Sequence, residues 1–336
     1  MIIRNKVVEQ SGRCYIVGEM SANHNGSLET ALNIVRGLAR SGADAVKIQI
    51  YEADDLTIDC DKPDFMITSG LWTGKNLYEL YQSAITPMDW HKPLMEEAHK
   101  LGLGFIASVY NQRTLDMALD LNVDAIKIAS FENEWTEFLT EEIAEIDKPV
   151  IISLGGLGWS GIEYVNKTFQ NSLDIVYLVC SSKYPSGLKD IDFEHIQDIY
   201  NIFDVSVGFS DHTCNVYAPL AAKGFGACMI EKHVKLDKSA TPDSDFSLTV
   251  NEFGQMVRLV RDVEHVPSMF KSSFKRSVRA VKHIMAGDTL TRDNVAVIRP
   301  SGGLEPSEFE TVVGSRAIVD IPQGTPLKKE MLDKPV

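Results

Sequence analysis

Two lysines stand where lysines are costly. Lys47 interrupts the apolar run AVKIQ, and Lys127 interrupts AIKIAS. A buried ammonium is expensive unless an opposite charge meets it. Two of them converging among hydroxyls and small residues would suit an anionic ligand, such as a phosphate or carboxylate. For either lysine alone, a structural Lys–Glu pair is the competing explanation. His212 closes the run GFSDH and His233 closes MIEKH. Two neutral imidazoles with open positions can hold a catalytic metal that polarises a carbonyl. A hydrogen-bonded core role is the alternative for each. Glu19, at the end of YIVGE, suits general-base work or a developing cation, and it could also ion-pair with either lysine. His91, His99, His195, His265 and His283 fall on helical or surface segments and read as ordinary. His24 fits either description.

These residues need a frame that brings them together. Eight short β-branched runs recur along the chain: Tyr15–Glu19, Ala43–Gln49, Gly104–Ser108, Ala125–Ala129, Pro149–Ser153, Ile175–Cys180, Val205–Phe209 and Ala227–Glu231. Longer amphipathic stretches separate most of them. In residues 27–42, Leu28, Leu32, Val35, Leu38 and Ala39 repeat at helical spacing, and Gly42 is a stop. In residues 86–102, Thr86 reads as an N-cap with Pro87 at the first helical position. Eight strand–helix units predict an α/β fold, a (β/α)8 TIM barrel, whose chemistry sits at the C-terminal ends of its strands. A doubly wound sheet would advertise a GxGxxG turn after an early strand, and none is present. At the strand ends, Lys47 and Gln49 share a face by the two-residue period. Ser108 ends the third strand, and Lys127, Ser130 and Glu132 end the fourth. Ser153 ends the fifth, and CSSKYP follows the sixth.

The barrel is expected over residues 1–264, a basic, turn-rich linker over 265–276 and a small β-rich domain over 277–336, the last near the size limit for independent stability. With 336 residues, 44% of them hydrophobic and 24% charged, the chain can build a sizeable core and is not disordered. The net charge of −14 argues against nucleic acid or an anionic membrane as partner. That charge is uneven. Residues 271–336 carry 11 basic and 8 acidic side chains, or +3, and the rest carries −17. Five scattered cysteines without a CxxC pair read as reduced thiols. There is no signal-peptide h-region and no apolar run of membrane-spanning length, so a cytoplasmic protein is expected.

At these same residues the sequence resembles the sialic acid synthase family. The motifs are IVGEMSANHNGS (16–27), SGADAVKIQIY (41–51), DAIKIASFE (124–132), CSSKYP (180–185), GFSDHT (208–213) and GACMIEKHVKLD (226–237). AGDTLTRDNVAVIRPSGGL (286–304) resembles that family's antifreeze-like (SAF) domain, so the resemblance runs essentially end to end. Residues 70–91 and PDSDFSL (242–248) resemble the pseudaminic acid synthases within it, and Trp72 and Phe246 could line a more apolar sugar pocket.

The resemblance implies a mechanism. Phosphoenolpyruvate (PEP) is condensed with an amino sugar, 2,4-diacetamido-2,4,6-trideoxy-altrose, to a nine-carbon nonulosonic acid. Lys47, Ser108, Lys127, Ser130, Ser153, Ser182 and Ser210 would bind PEP. His212 and His233 would hold a divalent metal (Mn2+, Mg2+ or Co2+) that polarises the open-chain aldehyde. C3 of PEP attacks, Glu19 stabilises the cation left at C2, water captures it, and phosphate leaves by C–O cleavage. Gln49, Glu132, Tyr184 and Asp243 would hold the sugar, and Arg299 would reach in from a partner in a domain-swapped homodimer. The chain departs from the family pattern at ASVYN (107–111), SLGG (153–156), Val234–Lys235 and Thr241, all bordering the pocket, which leaves the sugar open. N-acetylneuraminate or legionaminate synthesis is the near alternative. A carbohydrate-binding or assembly protein on a decayed barrel, and a lyase using a Schiff-base lysine, are alternatives of other classes.

Overall fold

Every one of the eight runs folds as a parallel strand. In the computed structural model, residues 1–133, 143, 146–169, 174–264 and 275–333 are described. The chain forms two compact units, Met1–Val266 and Pro267–Val336. In the first, a hairpin of β1 (Ile2–Ile3) and β2 (Lys6–Val7) precedes the barrel strands: β3 (Tyr15–Glu19), β4 (Ala45–Gln49), β5 (Gly104–Val109), β6 (Ala125–Ile128), β7 (Val150–Ser153), β8 (Ile175–Cys180), β9 (Ser206–Asp211) and β10 (Met229–Lys235). They pair in chain order, and β10 pairs with both β9 and β3, which closes the barrel. The last strand runs farther than expected. A short strand, β11 (Leu248–Thr249), pairs with Val234 and Lys235 and holds the chain extended past His233.

Period-two alternation divides the barrel wall. Tyr15, Val17, Ala45, Ile106, Ala125, Ile151, Val176, Leu178 and Met229 form one apolar cluster, which Ile3 and Val8 of the hairpin segment join. Residues two positions farther along the same strands are polar: Glu19, Lys47, Ser108, Lys127, Ser153, Cys180 and Glu231. The intervening residues, such as Val46, Ile48, Phe105, Ala107, Ile126 and Ile152, belong to the larger core that the helices cover. Thus an apolar plug fills one end of the barrel and a polar ring sits above it. Gly208 serves the close packing within, since a Cβ there would lie 2.6 Å from the Met229 carbonyl oxygen.

The helix Leu28–Ser41 starts at Ser27, whose hydroxyl accepts the Thr30 N–H, and ends at Gly42 with φ 83°. Its buried stripe is Ala31, Ile34, Val35 and Leu38; Leu28, Leu32 and Ala39 pack only at the margin. The helix Met88–Lys100 differs from expectation at its start. Pro87 (φ −54°, ψ 138°) is extended and occupies the N-cap. Thr86 is not the cap; it is buried, and its carbonyl pairs with His91 Nε2 at 3.1 Å. The last barrel helix is Val250–Glu264.

In the second unit, β12 (Ser277–Ala280) and β13 (Val295–Ile298) pair antiparallel. Bridges Ile284–Ile321, Thr289–Arg316 and Ala317–Leu332 tie the remaining short runs around a core of Val278, Ile284, Leu290, Val295 and Ile321. Most of the expected linker, residues 265–274 with His265, lies outside the described residues.

The N-terminal side of the barrel is held by one buried carboxylate. Asp44 receives Lys6 at 3.0 Å, Arg13 at 2.7 Å and Arg261 at 2.9 Å, and it accepts the Ile16 N–H at 2.9 Å. It thereby joins the first hairpin, two barrel strands and the last helix. Burial pushes its pKa up, but Arg13, the Ile16 amide and Lys6 outweigh burial and hold it below the ordinary carboxylate value. A depressed folded-state pKa means that this stability is full above about pH 4 and is lost as pH falls through the folded value. Asp44→Ala is expected to cost about 3 kcal/mol, read as a lower urea midpoint. An unchanged midpoint would show that the cluster contributes nothing.

Candidate active site

The polar ring gathers the predicted residues around two lysines in different electrical situations. Lys47 Nζ lies 2.8 Å from Glu19, 3.5 Å from Glu231 and 3.0 Å from Ser108 Oγ. Ser210 Oγ donates to Glu231 at 3.1 Å. Burial alone would depress the Lys47 pKa, yet Glu19 and Glu231 outweigh it and hold it above the lysine value. Glu231 titrates low: burial raises it, but Lys47 and Lys127 win. Burial keeps Glu19 high against the pull of Lys47. The Lys–Glu pair and the site are therefore one structure.

Lys127 has no carboxylate partner among the described residues. Its ammonium donates to the Ile128 carbonyl at 2.7 Å and to Ser153 Oγ at 2.8 Å. Burial depresses its pKa, and Glu231 only partly compensates. Beside it, three polar side chains close on the bare backbone of Gly155. A Cβ on Gly155 would lie 2.7 Å from Ser130 Oγ, 2.7 Å from Ser182 Oγ and 2.6 Å from Cys180 Sγ. Ser182 Oγ is buried with no partner among the described residues. Asn133 Nδ2 steadies this segment by donating to the Ser153 carbonyl at 2.9 Å. Hydroxyls around a bare backbone, next to an unanswered ammonium, make a cradle for an anion.

His212 and His233 are neighbours, with ring centroids 5.5 Å apart. Burial holds both neutral, His212 near 4 and His233 well below the usual value. His212 Nδ1 faces the Ser181 carbonyl at 2.9 Å, so it donates and Nε2 keeps its lone pair. His233 Nδ1 is buried without a partner among the described residues. No group of three or more His, Cys, Asp or Glu side chains suited to a metal occurs among the described residues. The pair fits a metal with two protein ligands and the remaining positions open. Tyr184, Phe246 and Trp72 wall this corner: Tyr184 packs 4.2 Å from His212, Phe246 packs 4.8 Å from His233, and Trp72 contacts both aromatics at 6.1 Å.

Gln49, on the same strand as Lys47, donates to Glu19 at 3.0 Å and to Ser21 at 2.9 Å. Asp243 meets Ser21 and the Ala22 N–H. Glu132 is raised to about 7 by burial against the opposing pull of Lys127, and its Oε2 has no partner among the described residues. Arg299 is exposed on the second unit. His24 is a turn-forming core histidine that accepts the Gly26 N–H at Nδ1 and packs edge-on against Trp90. His99 pairs with Asp124 and His195 with Asp192, away from this cluster.

Sequence reasoning missed Glu231, Ser21, Asn133 and Cys180. Glu231 was detectable, because two-residue alternation through MIEKH places it on the inward face with His233. The same alternation sends Lys232 outward, where it is fully buried against Asp211 at 2.7 Å. Asp211 also accepts the Thr213 N–H, so this pair locks the turn that carries His212. Cys180, two residues past Leu178, carries the same signal; Ser21 and Asn133 carry none, because their partners Gln49, Asp243 and Ser153 come from distant points in the chain.

A NeuB family model matches residues 34–271, and a SAF domain model matches residues 275–333. The pseudaminic acid synthase of Campylobacter jejuni is 38% identical, covering 94% of this chain and 96% of that protein. That of Helicobacter pylori is 36% identical, covering 95% and 98%. The crystal structure of the spore coat polysaccharide biosynthesis protein SpsE of Bacillus subtilis superposes with a TM-score of 0.68 at 28% identity, covering 99% of this chain and 98% of that one. The family match spans well over half the chain and the relatives align along nearly all of it, so this protein belongs to the NeuB family, the sialic acid synthases.

Proposed function

We propose that the protein is a pseudaminic acid synthase, joining PEP to 2,4-diacetamido-2,4,6-trideoxy-altrose with release of phosphate. The observation that carries this reading is Lys127, which has no carboxylate partner among the described residues, beside the Gly155 cradle. A buried cation lacking a counter-charge is relieved by an incoming anion. In this reading Lys127, Ser130, Ser153, Ser182 and the bare Gly155 backbone bind one anionic end of PEP. Lys47, Ser108 and Ser210 hold the other end. Relatives of 36–38% identity carrying this activity support the choice of sugar, as does the aromatic wall of Trp72, Tyr184 and Phe246, which suits a deoxygenated carbon.

Glu19 lies next to Lys47 and pairs in register with His233. Stabilising the cation that develops at C2 of PEP once C3 attacks the aldehyde is the proposed role of its carboxylate. A divalent metal on His212 and His233, when bound, would act as a Lewis acid on the sugar carbonyl. Gln49, Glu132, Tyr184 and Asp243 orient the sugar. We extend the reading to a domain-swapped homodimer in which Arg299 of the partner subunit completes the sugar site. Its supports are the basic C-terminal segment, at +3 against −17 for the remainder, and the exposure of Arg299 on this chain's second unit.

Two measurements test this. The purified protein with PEP and Mn2+ should release phosphate with the diacetamido altrose, giving a nine-carbon acid by mass. Faster turnover with N-acetylmannosamine or a 2,4-diacetamido mannose would assign it to a sister activity instead, and no phosphate with any sugar would defeat the synthase reading. Separately, Glu19→Gln and Arg299→Ala should each be nearly inactive alone. Mixed and allowed to exchange subunits, they should recover about a quarter of wild-type activity, because half the dimers then hold one intact site. No recovery would refute the swap.

A further inference from the structure

The chain leaves the first barrel strand through the turn Ser21–His24, and Ser21 has φ 46°. This is the left-handed region that glycine adopts freely and other residues resist. A non-glycine residue kept there without strain relief points to a task for its side chain. Ser21 is only 4% exposed, and its hydroxyl is fully engaged. Gln49 Nε2 donates to Ser21 Oγ at 2.9 Å, so the hydroxyl hydrogen is directed elsewhere, to Asp243 Oδ2. That same carboxylate oxygen also accepts the Ala22 N–H at 3.2 Å.

The consequence falls on Gln49. Its amide nitrogen carries two hydrogens. One goes to Glu19 Oε1 at 3.0 Å and the other to Ser21. Both donors are spent, and the amide can flip only by losing both bonds. Among the described residues nothing donates to Gln49 Oε1 or to Asp243 Oδ1. Two hydrogen-bond acceptors therefore remain open at this edge of the site.

We propose that Ser21 is a positioning residue for the sugar: its hydroxyl fixes Gln49 and Asp243 so that two oxygens meet the hydroxyl or acetamido N–H donors of an amino sugar. The proposal rests on the synthase reading above and assigns the recognition chemistry of one edge of that site. Without the hydroxyl the Gln49 amide loses one of the two partners that set its orientation, and Asp243 loses a donor. The PEP side, built on Lys127 and the Gly155 cradle, is untouched.

The turn's geometry makes the test sharp, because glycine is the residue its backbone prefers. Ser21→Gly removes the hydroxyl and relieves the backbone, whereas Ser21→Ala removes the hydroxyl and keeps the strain. Steady-state kinetics with PEP and the diacetamido sugar, alongside thermal melts of the full chain, separate the two effects. Both variants should raise the sugar KM about tenfold and leave the PEP KM within about twofold. Ser21→Gly should melt no lower than the unaltered protein. A glycine variant with an unaltered sugar KM overturns the proposal, including the case in which only the alanine variant is impaired, since backbone strain would then be the whole effect. Equal rises in both KM values overturn it as well. If the unaltered protein turns over no amino sugar with PEP, the synthase reading falls and this proposal falls with it.

Discussion

A lysine inside a barrel must be answered by a carboxylate or by a ligand. The two lysines of this protein divide those outcomes. Lys47 is answered internally by Glu19 and Glu231, which hold it charged and fixed. Among the described residues, Lys127 is met only by a backbone carbonyl and a hydroxyl. The fold keeps one cation as scaffold and leaves the other short of counter-charge. Such a site is costly when empty and gains by taking up an anion. The apolar plug below, the hydroxyl cradle at Gly155 and the neutral imidazoles all assume meaning from that imbalance.

The same alternation that builds the barrel sorts its chemistry. Moving two residues along each strand passes from plug to polar ring without changing face. A single-residue step crosses the wall, which is why Lys232 pairs with Asp211 among the helices while Glu231 and His233 face inward. Three consecutive residues thus serve two layers: one couples to Lys47, one anchors the turn bearing His212, and one presents an imidazole.

Much of this was legible in the sequence, for physical reasons. Strand periodicity is local, so the eight runs, the shared face of Lys47 and Gln49, and the neighbouring histidines could be read from spacing. Cap chemistry was partly legible: Gly42 ends its helix as expected, while Pro87 displaced Thr86 because its extended backbone ends the loop one residue later. The conformation of Ser21 was not legible. It is set by Asp243 and Gln49, which the closing of the barrel brings to it from distant points in the chain. The polar atoms crowded against Gly155 were likewise invisible, since the ends of two other strands supply them.

A crystal structure of the protein grown with PEP would probe the electrostatic core of this account directly. Phosphoenolpyruvate should lie across the polar ring, one anionic end on Lys127 and among the Ser130 and Ser182 hydroxyls against Gly155, and the other toward Lys47. Electron density for PEP outside the barrel mouth, or a ligand in the mouth that leaves Lys127 uncontacted, would contradict it.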